Sequence, residues 1–107
     1  IFYFLYQGVD FKEKIPIFKA GGNKYFTSGS YRMAIRKYMK TIRYIQWISS
    51  KSPEKMDYEY VTLNMLSNEY HKITMDCMSN IAACFLKLKE YKEAKNMCDK
   101  VNIVCSL

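Results

Sequence analysis

A chain of 107 residues makes one small domain, and a half-hydrophobic composition supports a core while leaving much surface exposed. Two prolines and four glycines leave room for long helices, and ten Tyr, six Phe and seven Met supply bulky packing groups. The formal charge of +7 attracts acidic partners, but the basic residues are dispersed and form no arm for nucleic acid, which is disfavoured as a partner.

Residues 1–10, IFYFLYQGVD, are apolar but too short to span a bilayer, and they lack the basic leader of a signal peptide. They read as an N-terminal extension, or as the last strand of a preceding domain. A start at Ile1 rather than Met predicts a piece of a longer protein.

The first helix is expected near Lys14, with Pro16 in its first turn and Asp10 as an upstream cap. Ile15, Phe18, Gly22, Tyr25 and Phe26 recur at three- and four-residue steps. Gly21 and Gly22 each cost about 1 kcal/mol of helix propensity, so close helix packing is expected there. Thr27-Ser28-Gly29-Ser30 reads as a tight turn, with Ser30 capping the next helix.

That second helix spans about Tyr31 to Ile48, with Ala34, Ile35, Tyr38, Met39, Ile42, Ile45 and Trp47 on its apolar side. Ser49-Ser50-Lys51-Ser52-Pro53 breaks it. A third helix is expected over about His71 to Leu88, its face set by Met75, Met78, Ile81, Ala82, Phe85 and Leu86. After a break at Lys89-Glu90, a fourth runs from Tyr91 to about Val104 on Ala94, Met97, Cys98, Val101 and Val104. Nothing reads as a β-hairpin, so the class is all-α.

The chain repeats itself. Phe18-x2-Gly21-Gly22-x2-Tyr25 followed by Ala34-x3-Tyr38 parallels Met78-x2-Ile81-Ala82-x2-Phe85 followed by Ala94-x3-Cys98. The aromatic-to-Ala distance is nine residues in both copies. Small residues let the helices of a hairpin approach, and aromatics fill the gaps between hairpins. This is the tetratricopeptide pattern, although Gln46 and Ser106 stand where it has Pro. Ala34 and Ala94 lie 60 residues apart against the usual period of about 34, leaving roughly 26 extra residues between the hairpins. The expected organisation is a tetratricopeptide-type superhelix over 11–107: repeat 1 at about 14–48, an insert at about 49–70 and repeat 2 at about 71–105.

The stretches KYFTSGSYRMAIRKYMKTIRYI and SNIAACFLKLKEYKEAKNMCDKV, with the polar insert between them, resemble the tetratricopeptide domain of large immunophilins. These are the FKBP-type and cyclophilin-type peptidyl-prolyl isomerases with a C-terminal helical domain; the aryl-hydrocarbon-receptor-interacting proteins are related. The resemblance covers about Lys14 to Val104. It implies a co-chaperone module whose concave face grips the acidic tail of a heat-shock chaperone, ending Glu-Glu-Val-Asp, through a carboxylate clamp. Carried over by position, Lys19 and Asn23 in KAGGN and Asn80 in SNIAA are the peptide-binding residues. The clamp of the family also uses Lys and Arg from a third repeat, which would follow Leu107.

The residues agree with that chemistry. Lys19 and Asn23 are four apart and share a helix face, and a cation with amide donors suits a carboxylate. A two-repeat piece leaves Val101, Ile103 and Val104 without a neighbour, so self-association, as a homodimer or by helix swapping about the insert, is expected. A scaffold for a non-chaperone partner is the alternative.

Catalysis is not expected. His71 is the sole histidine and is read at a solvated helix start; Glu13, Glu54 and Glu59 form no acid–base pair; and no phosphate loop or nucleophile elbow is present. An isomerase domain of the parent protein would precede Ile1. Cys77, Cys84, Cys98 and Cys105 lack the close pairs of a zinc site, so no metal or cofactor is expected. Their seven-residue spacing fits buried, reduced thiols in a cytoplasmic protein.

Overall fold

A computed structural model describes residues 11–49 and 68–106. The expected extension at 1–10 and most of the expected insert lie outside the described residues. The described residues form four helices: α1 (Phe11–Thr27), α2 (Tyr31–Ser49), α3 (Asn68–Lys87) and α4 (Tyr91–Ser106). The fold is all-α. α1 packs on α2, α3 on α4, and the two pairs meet where α2 lies against α3.

Two boundaries differ from expectation. α1 begins at Phe11, so Pro16 lies inside it rather than in its first turn. The missing Pro N–H costs one bond near the helix start, where only a short stretch of helix precedes it. α3 begins at Asn68, a turn before the apolar face that signals it.

Both turns are closed in the same way. After α1, Gly29 N–H donates to Phe26 O at 3.1 Å and Ser30 N–H donates to Tyr25 O at 2.9 Å. After α3, Lys89 N–H donates to Leu86 O at 3.0 Å and Glu90 N–H donates to Phe85 O at 2.9 Å. This paired 5→2 and 6→1 bonding is the Schellman cap, which needs one left-handed residue. Gly29 (φ 84°) supplies it in the first turn and Lys89 (φ 61°) in the second. Ser30 O and Glu90 O then accept from Ala34 N–H and Ala94 N–H at 3.0 Å each, opening α2 and α4. Every one of these bonds recurs after 60 residues, the spacing of the sequence repeat.

The core lies along the α2–α3 seam. Ala34, Tyr38 and Ile42 meet Cys77, Met78, Ile81, Ala82 and Cys84, with Met97 closing it from α4. Ile15 and Ile45 are also fully buried, each stabilising the fold by about 2–3 kcal/mol. Ala34 and Ala94 are both buried because each sits where its helix approaches the preceding one.

Some expected core residues are at the surface. Leu86 is 52% exposed and Cys98 is exposed, since each lies just off the buried stripe of its helix. Ile103, expected on the outer face of the last helix rather than in the core, is 60% exposed on α4. His71 is half-buried rather than solvated, with its Nδ1 shielded and unpartnered among the described residues.

Candidate peptide-binding site

α1 and α3 present Lys19, Asn23, Asp76 and Asn80 across a shared seam. Lys19 and Asn23 are one turn apart on α1, and Asp76 and Asn80 one turn apart on α3, so each pair shares a face. Lys19 Nζ donates to Asp76 Oδ2 at 3.1 Å, with the two side chains 27% and 44% exposed. Lys19 is therefore not an open cation: its charge is partly met from within. At that exposure the pair is worth at most about 1 kcal/mol, weak enough for another carboxylate to share the ammonium.

One of the asparagines is held by a residue of α2. Tyr38 Oη donates to Asn23 Oδ1 at 2.6 Å. Tyr38 is only 1% exposed. It reaches the seam because Gly22 lacks a Cβ, which would lie 2.6 Å from the Tyr38 ring. Burial pushes the phenol up to about 12, the Cys84 and Cys77 thiols push it further, and the Asn80 hydrogen bond eases it down. Tyr38 is thus a protonated donor at neutral pH.

Beneath the seam, burial pushes the Cys77 thiol up to about 12, with Lys19 acting to lower it and Asp76 to raise it. Cys84 is pushed up to about 11 by burial. Both are buried free thiols with low reactivity at neutral pH. Cys98 is free and exposed.

Beside the seam, the Phe18 ring packs edge-on against Tyr44 with centroids 4.9 Å apart. Lys40 Nζ lies 4.7 Å and Lys37 Nζ 5.7 Å from the Phe18 centroid. Both ammonium groups are thus held over the ring by cation–π contact. No cluster of His, Cys, Asp or Glu able to hold a metal occurs among the described residues.

Lys19, Asn23 and Asn80 are thus neighbours in space. Sequence reasoning missed the two residues that join them. Asp76 was signalled by its four-residue spacing from Asn80, on the same face. Tyr38 was visible in the repeat, but as a packing aromatic whose hydroxyl carried no signal.

These features define an all-helical protein of stacked hairpins with a polar, amide-bearing seam between α1 and α3. The chain is similar to "Peptidyl-prolyl cis-trans isomerase FKBP4" of Mus musculus, at 30% identity over 88 residues, 82% of this chain and 17% of the relative. The same identity and coverage hold for FKBP4 of Rattus norvegicus. The chain therefore spans 17% of the length of these curated relatives. No family model and no solved structure matches it. The isomerase name belongs to the relatives; no enzyme family is indicated for this all-helical chain. No helix among the described residues is long and apolar enough to cross a membrane.

Proposed function

We propose that this chain is a tetratricopeptide-type interaction module of a larger immunophilin-like protein. It binds the acidic C-terminal peptide of a heat-shock chaperone. Lys19 meets the peptide's carboxylates by charge, and Asn23 and Asn80 meet them by amide N–H donation. The observation that carries the reading is the seam itself, where Lys19 and Asn23 share one face of α1 and Lys19 reaches across to Asp76, one turn from Asn80 on α3. The similarity to FKBP4 supports it, as does the duplicated turn geometry of the two hairpins. A C-terminal peptide suits such a site because only a chain end presents a main-chain carboxylate. The module works in the cytoplasm, and any isomerase activity belongs to another domain of the parent protein.

Peptide titration tests this reading. A Glu-Glu-Val-Asp peptide with a free acid end should bind at least about tenfold more tightly than its amidated form, the loss expected when charge-assisted bonds to a carboxylate are removed. Lys19→Ala and Asn80→Ala should each erase most of that difference. Equal affinity for acid and amide would overturn the proposal.

A second reading, self-association through α4, is favoured by the 60% exposure of Ile103 on that helix. Sedimentation at increasing concentration distinguishes a monomer from a homodimer or helix-swapped pair. A purely monomeric profile removes this reading.

A further inference from the structure

We infer that Tyr38 is a positioning residue of the proposed peptide site, setting the amide of Asn23 so that its N–H group faces an incoming carboxylate. The inference rests on the reading above and concerns a residue that reading leaves in the core.

The direction of one hydrogen bond carries the argument. Tyr38 has one hydroxyl proton, and it is given to Asn23 Oδ1 at 2.6 Å. The Asn23 oxygen is thereby fixed as the acceptor of this bond. The Asn23 carbonyl is turned towards the core, so its amide nitrogen points the opposite way. That nitrogen has no acceptor among the described residues. An asparagine side chain otherwise presents either a donor or an acceptor, and an acceptor facing a carboxylate would repel it.

The phenol is held firmly enough for this task. Its ring is 1% exposed and is wedged beside Gly22, where an added Cβ would come within 2.6 Å. Asn23 is exposed, so without a fixed partner its amide would rotate in water. Sixty residues on, the position equivalent to Tyr38 is the exposed Cys98, and the position equivalent to Gly22 is Ala82. The second hairpin therefore has no such phenol, and this bond belongs to the first.

Tyr38→Phe keeps the ring and removes only the hydroxyl. With purified protein, affinity for the free-acid Glu-Glu-Val-Asp peptide should fall about five- to tenfold, the range for one lost orienting hydrogen bond, while binding of the amidated peptide is unchanged. Placed on Asn23→Ala, the same substitution should change affinity by less than about twofold, because a residue acting through that amide has nothing left to act on. Thermal unfolding separates this from lost folding. A Tyr38→Phe protein that keeps the full acid preference overturns the inference alone, as does an equal loss in both backgrounds. A wild-type protein without acid preference overturns the proposed function and this inference together.

Discussion

The two hairpins share a backbone and differ in what they do with it. Each closes on a Schellman cap, opens its second helix on a carbonyl one residue past the left-handed position, and buries an alanine four residues later. The first pairs Gly22 with a buried Tyr38; the second has Ala82 and an exposed Cys98 at the same places. The frame thus depends on local capping and on the small residues Ala34 and Ala94. The polar seam depends on what is added to one copy alone. A repeated scaffold can carry a site at one of its copies because the caps and the inter-helix alanine leave other positions free to vary.

The seam between the hairpins should fail first in alkali. Tyr38, Cys77 and Cys84 are pushed from 10.0, 9.0 and 9.0 up to about 12, 12 and 11. A group whose pKa is raised in the folded state stabilises the fold fully below its unfolded value and loses that contribution as pH rises through the folded value. Stability should therefore be flat up to about pH 9 and fall steeply towards pH 12, the window set by these shifts. Denaturant melts at successive pH values check this. Cys77→Ala with Cys84→Ala should soften the decline and leave the Tyr38 contribution.

Next in size is Gly22→Ala. The added methyl group would sit 2.6 Å from an aromatic ring that has nowhere to move, so a loss of about 2–3 kcal/mol is expected despite the helix propensity gained. Ala82→Gly, its counterpart, should cost only about 1 kcal/mol. If the two substitutions cost the same in urea melts, the asymmetry between the hairpins is not where the packing places it.

The left-handed positions give a smaller and opposite pair of effects. Lys89→Gly should stabilise by about 1 kcal/mol, and Gly29→Ala should destabilise by about 1 kcal/mol, because a Cβ is disfavoured at positive φ. Shared turn geometry predicts that the shifts mirror each other in thermal unfolding.

Asp76 of the second hairpin competes with any ligand for Lys19 of the first. Asp76→Asn should tighten binding of an acidic peptide about threefold at low ionic strength, less at high salt, since a like charge a few ångströms away costs up to about 1 kcal/mol in water. Weaker binding would mean that Asp76 serves chiefly to hold Lys19 in place. Smallest of all is the exposed bridge from Arg32 to Glu90, 2.7 Å across the two turns. A double-mutant cycle should give it about 0.5 kcal/mol.

Much of this was legible from residue order. Ile15, Ala34, Tyr38, Ile42, Met78, Ile81 and Met97 were marked as core by three- and four-residue spacing, and they are buried. Gly29 announced its turn, because glycine is the cheap residue at positive φ. The second turn was harder to read, since Lys89 adopts the same conformation without the glycine signal. Leu86 and Cys98 were misassigned to the core because a hydrophobic period does not say where the buried stripe ends.

The sequence by itself determined four helices, their pairing into hairpins and the lysine and asparagines worth testing, since these follow from local propensity, periodicity and residue type. Only the tertiary structure decided how those polar groups are used. Asp76 meets Lys19 across 57 residues, and Tyr38 of α2 holds the Asn23 amide of α1. Hydrogen-bond direction and charge pairing between distant segments depend on how closely helices approach. Here that approach is set by an absent Cβ at Gly22.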